Sequence, residues 1–182
     1  MSVTFIRRPP ALIAILGLAL SFLLPACTKN DDPPRILVFS KTEGYRHASI
    51  PAGVAALRKL CRENSMVMDS TEDAEAFTEK NLRRYAAVVF LSTTGDVLNP
   101  AQETAFERYI QAGGGFAGIH AASDTEYGWT WFGGLVGGYF NGHPEIQNAN
   151  LKVVTHDHPA TKHLGEVWRR KDEWYNLRDL NP

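Results

Sequence analysis

Residues 118–122, Gly-Ile-His-Ala-Ala, hold a histidine between small neighbours at the end of an apolar run, residues 116–119. Small-x-reactive-x-small is the spacing of a nucleophile elbow, where the chain leaves a strand, turns sharply and enters a helix. Small neighbours are needed at such a corner because the backbone passes close to its surroundings. Many α/β enzymes hold a reactive serine or cysteine there. His120 suits other chemistry: proton transfer near neutral pH, or ligation of a metal. The plainer alternative is that His120 caps the following helix or satisfies a buried backbone group.

Other candidates flank it. His47, in Gly44-Tyr45-Arg46-His47, follows the apolar run 36–39 and either faces His120 across a cleft or starts the next helix. Ser92, Thr93 and Thr94 follow the apolar run 86–91. They could hydrogen-bond a hydroxylated ligand or form the turn before the next helix. Asp124 could orient His120 or a substrate, or cap a helix. Tyr127, Trp129, Trp131, Phe132, Tyr139 and Phe140 crowd a glycine-rich segment. Flat rings with polar edges suit stacking on sugar faces, although most of these rings fit a local apolar cluster better. Tyr127 and Trp129 are the expected ligand contacts. His143, the run His156-Asp157-His158 and the pair Asp172-Glu173 are donors of the type a metal takes, at spacings that match no strong zinc motif. Asp157 followed by Pro159 reads as a helix cap with proline in the first turn.

These residues need a scaffold, and strand and helix patterns alternate. Residues 36–39 form a compact apolar strand, and 51–62 place Val54, Leu57, Leu60 and Cys61 at helical spacing. Residues 66–68 read as a second strand and 79–84 as a small helix. Residues 86–91 (AAVVFL) are continuously apolar, as in a strand covered on both faces. Asn99-Pro100 opens a helix that Gly113 closes. Residues 116–119 form the next buried strand, and 151–154 a later one. The alternation predicts an α/β fold of flavodoxin-like outline, with a mostly parallel sheet and helices on both faces. In such a sheet the ligand site lies beyond the carboxyl ends of the strands, where His47, Ser92 and His120 all fall.

The N-terminus has a different character. Arg7 and Arg8 precede an apolar stretch, residues 11–24, that is too short for a permanent bilayer span. It ends in Leu24-Pro25-Ala26-Cys27, which resembles the lipobox of bacterial lipoproteins. Residues 1–26 are then a signal peptide, Cys27 carries the lipid, and residues 27–34 tether it to a domain over 35–182. That implies a lipoprotein anchored in the membrane and facing the periplasm or the cell exterior. The formal net charge of −1 becomes more negative once Arg7 and Arg8 are removed, so no basic footprint for nucleic acid remains. Cys61 is then the single remaining cysteine, a packing residue with no partner for a disulfide.

The stretches ILVFSKTEGYRHASI (36–50), VVFLSTTGDVLN (88–99), FERYIQAGGGFAGIHAASDTEY (106–127), GGLVGGYFNGHP (133–144), DHPATKHL (157–164) and DEWYNL (172–177) together resemble the ThuA-like family, named for trehalose utilisation. The resemblance implies a domain similar to the class I glutamine amidotransferase fold and a carbohydrate ligand, a disaccharide or an oxidised keto-sugar. Glutamine hydrolysis is excluded because His120 stands where the amidotransferases have cysteine. With position beside aromatics, the resemblance also favours His143 and Glu173, which would assist His120 and His47 in acid–base chemistry or hold a divalent ion. No pair of carboxylates suited to ordinary glycoside cleavage stands out. Elimination, isomerisation or hydrolysis of an activated keto-sugar therefore fits better, and a non-catalytic carbohydrate-binding lipoprotein is the alternative. Similar domains continue past residue 182, so the domain is expected to be shortened, with Trp174, Tyr175 and Leu177 lacking a partner strand. The loop 125–134 is expected to close over His47 and His120 as a lid carrying Trp129.

The lipobox generates a direct test. Cys27→Ser should abolish metabolic palmitate labelling of the expressed protein; undiminished labelling would rule out lipidation at Cys27.

Overall fold

The computed structural model describes residues 32–180; the signal segment and Cys27 lie outside the described residues. Three apolar runs become neighbours in a four-stranded parallel sheet: β1 (Arg35–Phe39), β3 (Ala87–Leu91) and β4 (Gly115–Ile119), with β2 (Val67–Thr71) on the far side of β1. The order β2-β1-β3-β4 is that of a flavodoxin-like sheet. α1 (Ile50–Glu63), α2 (Glu79–Leu82) and α3 (Pro100–Gln111) form the connections, with a 3-10 turn over Ala74–Ala76 before α2.

Alternation along β1 and β3 divides the core between the two faces. Leu37, Phe39, Val88 and Phe90 join Phe77, Phe106 and Phe132 on one side. Val38, Val89 and Leu91 meet Val54 and Leu57 of α1 on the other. Both faces are covered, which explains the unbroken apolar runs. Phe90 lies 5.4 Å from the rings of Phe39, Phe106 and Phe132, and 5.6 Å from Phe116. Cys61 is buried in α1, as a packing residue should be. α3 starts as its sequence predicts. Asn99 accepts from the Ala101 and Gln102 N–H groups, Gln102 accepts in return from the Asn99 N–H, and Gly113, at φ +94°, follows the helix end.

β4 departs from the buried strand expected of residues 116–119. Among the described residues it pairs with β3 alone, so Ala117 and Gly118 are exposed. Beyond it come a 3-10 turn (His120–Asp124), α4 (Thr130–Val136), β5 (Tyr139–Phe140), β6 (Gln147–Lys152), β7 (Val167–Asp172) and β8 (Leu177–Arg178). β6 pairs with β7 and β5 with β8, both antiparallel. The segment expected to lack a partner is therefore held: Leu177 pairs with Phe140, and the Trp174 indole donates to the Gln147 carbonyl at 2.8 Å. Asp157 caps no helix. Residues 156–164 form turns, in which the His158 ring nitrogen accepts from the Ala160 N–H.

Glu126 ties the loop after β3 to the segment before α4. Its side chain is 1% exposed, and one carboxylate oxygen accepts from the N–H groups of Val97 (2.9 Å) and Leu98 (2.8 Å). Burial, together with a hydrogen bond to Asp96, raises its pKa from 4.5 to about 8. Glu103 also faces this cluster, and Lys41 donates to the Val97 carbonyl beside it. In the unfolded chain Glu126 ionises near its ordinary value, so the folded state holds the proton more tightly. Its stabilising effect is complete below that value and is lost as pH rises towards about 8. Glu126→Gln keeps an acceptor for Val97 and Leu98 and replaces the carboxyl proton with an N–H. Denaturant unfolding of both proteins between pH 4.5 and 8 should show the wild type losing stability relative to Glu126→Gln, by at most roughly 1.4 kcal/mol per pH unit. Parallel stability profiles would show that Glu126 is ionised in the folded protein.

Candidate functional site

Parallel strands deliver their carboxyl ends to one edge, and here three loops meet there. Thr94 joins two of them. Its hydroxyl accepts from the Gly44 N–H (3.2 Å) and donates to the Tyr45 carbonyl (3.0 Å), while its own carbonyl accepts from Glu43 (2.8 Å). The approach is close enough that a Cβ on Gly95, at φ +80°, would stand 3.1 Å from the Gly44 nitrogen. Thr93 reaches the other way, to the Thr125 hydroxyl at 2.9 Å, and Thr125 donates to the Ala121 carbonyl. Thr93 and Thr94 are fully buried and Ser92 nearly so. The expected ligand-binding hydroxyls of Thr93 and Thr94 are thus occupied in fixing the loops that carry His47 and His120.

His120 sits at a true elbow. Its φ is +54°, a left-handed conformation that costs a non-glycine residue on the order of 1 kcal/mol. Ala121 and Ala122 are buried directly behind it, and a Cβ on Gly118 would lie 3.1 Å from that of Ala122. The sharp reversal lifts the imidazole off the end of β4. From the β1 loop His47 meets it edge-on, with ring centroids 4.6 Å apart.

A third group comes from the far end of the chain. Glu173, just beyond β7, places a carboxylate oxygen 3.3 Å from His120 Nε2 and 4.0 Å from His47 Nε2. Tyr175 stacks on His120 at 4.7 Å and sets its hydroxyl 3.2 Å from the same Nε2. The side chains are 12% exposed at His47, 27% at His120 and 24% at Glu173, so the cluster is partly withdrawn from water yet still in contact with it. Burial lowers the proton affinity of His47; neighbouring His120 adds to this and Glu173 opposes it. The Tyr175 phenol is raised, first by burial and then by the charge of Glu173. A neutral imidazole, a second imidazole, a carboxylate and a phenol can relay a proton or surround a cation.

The remaining candidates lie around this centre in other roles. Asp124 accepts from the Tyr127 hydroxyl at 2.5 Å, and that hydroxyl lies 3.1 Å from the Phe140 carbonyl, so the pair braces β5 against the elbow. His143 stacks on Tyr175 at 5.8 Å, behind the Tyr175–His120 pair. Asp172 accepts from the Glu173 N–H and so helps set that residue's backbone. Trp129 does not cover the histidines. It packs with Trp131, Phe132 and Phe106 against the core, while Thr125 and Glu126 are buried, so the loop 125–134 is no lid. Tyr175, with Phe140 4.3 Å behind it, provides the aromatic cover instead. Sequence reasoning missed Tyr175, although it stands two residues after Glu173, the spacing that puts both on one side of an extended chain.

The fold superimposes on that of a ThuA-like protein from Bacteroides uniformis ATCC 8492 with a TM-score of 0.69. Identity is 24%, covering 86% of this chain and 66% of that one. A second ThuA-like protein, from Parabacteroides merdae ATCC 43184, gives 0.64 at 21% identity, covering 79% and 63%. The chain therefore spans just under two thirds of each neighbour, and at such identities the likeness shows the fold alone. No curated protein matches the chain. The sequence model of one family, described as ThuA, trehalose utilisation, matches residues 35–182, the whole region from β1 onward. By that match the chain belongs to the ThuA family.

Proposed function

We propose that this protein acts on a carbohydrate, a disaccharide or a keto-sugar, with its reacting centre at His120, His47 and Glu173. The observation that carries the reading is the convergence of these three groups, from separate regions of the chain, at the carboxyl edge of the sheet. The family description, trehalose utilisation, supports the substrate class. A lipid at Cys27 would hold the domain outside the cytoplasmic membrane, where such a sugar would reach it.

Proton transfer fits the cluster better than direct glycoside cleavage. Glu173 is the one carboxylate among the three groups, and hydrolysis of an ordinary glycoside needs a facing pair. In a keto-sugar, the carbon next to the carbonyl carries an acidic hydrogen. A base at the site takes that proton, the C–H electron pair becomes the enolate, and an acid beside it protonates the oxygen. Elimination and isomerisation share this first step. His120 stands at the centre, accepting or passing the proton directly or through a water that it positions. Tyr175, whose phenol remains protonated, is the neighbouring donor.

Disaccharides and their keto derivatives, incubated with the purified full chain and followed by NMR, test the reading. His120→Ala should lower turnover by about 10²- to 10⁴-fold while sugar affinity, from calorimetry, stays within about tenfold. Sugar binding with no turnover in the wild type would make the protein a non-catalytic carbohydrate-binding protein. Turnover untouched by His120→Ala would move the chemistry elsewhere.

A further inference from the structure

We infer that His47, His120 and Glu173 form a three-ligand site for a divalent transition ion of the zinc class, with a fourth position open to water or substrate. This rests on the reacting centre proposed above and specifies what occupies it. One nitrogen from each imidazole and one Glu173 oxygen lie within 4.8 Å of one another. Ligands about 2.0–2.2 Å from a tetrahedral ion stand roughly 3.4 Å apart. The His120 Nε2–Glu173 distance is already 3.3 Å, and the His47 Nε2–Glu173 distance of 4.0 Å needs only a small side-chain adjustment.

The hydrogen bonding of His47 is a second observation. Its Nδ1 is the single fully buried side-chain nitrogen or oxygen among the described residues without a hydrogen-bond partner. Its Nε2 faces Glu173 at 4.0 Å, beyond hydrogen-bonding range. An imidazole held between His120, Glu173 and the ring of Tyr45, with no hydrogen bond to protein on either nitrogen, has kept its lone pair uncommitted. With the proton on Nδ1, the Nε2 lone pair is free to be given to an ion between the three side chains.

The donor set selects the ion. Two nitrogens and one oxygen suit zinc, cobalt or another borderline divalent metal far better than calcium or magnesium, which take oxygen. Three protein ligands leave a coordination position free, the pattern of catalytic rather than structural zinc. The acidic group Asp96, Glu103 and Glu126 contrasts with this. There one Glu126 oxygen is already taken by two backbone N–H groups, and the donors are oxygen alone. With His120 Nε2 held as a ligand, the ion would polarise a sugar carbonyl, or supply a bound water that takes over the proton transfer from the imidazole at neutral pH. Tyr175, 3.2 Å from His120 Nε2, lies within reach of that position.

The test uses the full chain, without a histidine tag and stripped with chelator, titrated with Zn²⁺ by calorimetry and with Co²⁺ by visible absorption. The expected result is one equivalent of Zn²⁺ per chain. Co²⁺ should give visible d–d bands, as low-coordinate cobalt does, and Zn²⁺ should abolish them. His47→Ala, His120→Ala and Glu173→Gln should each weaken Zn²⁺ binding by at least about tenfold, whereas His156→Ala, in the exposed turn, should not. Metal-free melting of each variant shows whether it folds, and Glu173→Gln preserves the shape of the side chain. Lack of stoichiometric binding by the wild type, or binding unchanged in the folded variants, overturns the inference. Sugar turnover is read separately: full turnover by the stripped protein overturns the metal and leaves the proposed function standing, whereas Zn²⁺ binding without turnover keeps the site and removes the enzyme.

Discussion

The parallel pairing of β1, β3 and β4 is the constraint on which the site rests. Leu91 lies opposite Ile119, so Ser92 and His120 leave the sheet at one level, and Phe39 opposite Phe90 brings the β1 loop alongside. A shift of one residue would turn Phe90 out of the aromatic core and carry Val89 or Leu91 into it, which makes this register costly to abandon. The hydroxyl ladder from Tyr45 through Thr94, and from Thr93 through Thr125 to Ala121, then fixes the loops to one another. Packing chooses the level at which the loops emerge, and buried hydrogen bonds choose their paths.

The strands and helices around the sheet were legible because their signals are local. Continuous apolar runs marked β1 and β3, and Asn99-Pro100 with Gly113 marked α3. Those rules act within a few residues, and the structure keeps them. His47 and His120 were legible for a less local reason: a polar residue directly after a buried parallel strand falls on the ligand edge whatever its neighbours do. Their approach to 4.6 Å follows from topology alone.

What composition could not resolve was the direction in which a side chain points. Trp129 and Tyr175 are both aromatic and near polar residues, yet one packs inward on Phe106 and the other lies on His120. That choice is made by the pairing of β5 with β8 and by α4, elements of two and seven residues whose signals are too short to read. The threonines show the same limit. A run of hydroxyls after a strand serves equally for a ligand or for a loop, and burial assigned Thr93 and Thr94 to the loop. Exposure of β4 followed from its place at the margin of the described sheet, which no property of residues 116–119 announces.

Tyr175 contacts a histidine 55 residues before it, and Glu173 reaches still further, to the loop after β1. Contacts between such distant positions carry a large loop-closure entropy and tend to form late. A nascent chain could therefore assemble its sheet, bury its phenylalanines and set its elbow while the histidines still lacked their carboxylate. Whatever reactivity belongs to the completed cluster would be withheld until β7 and the segment after it had docked, so the order of synthesis would act as a safety catch on the site.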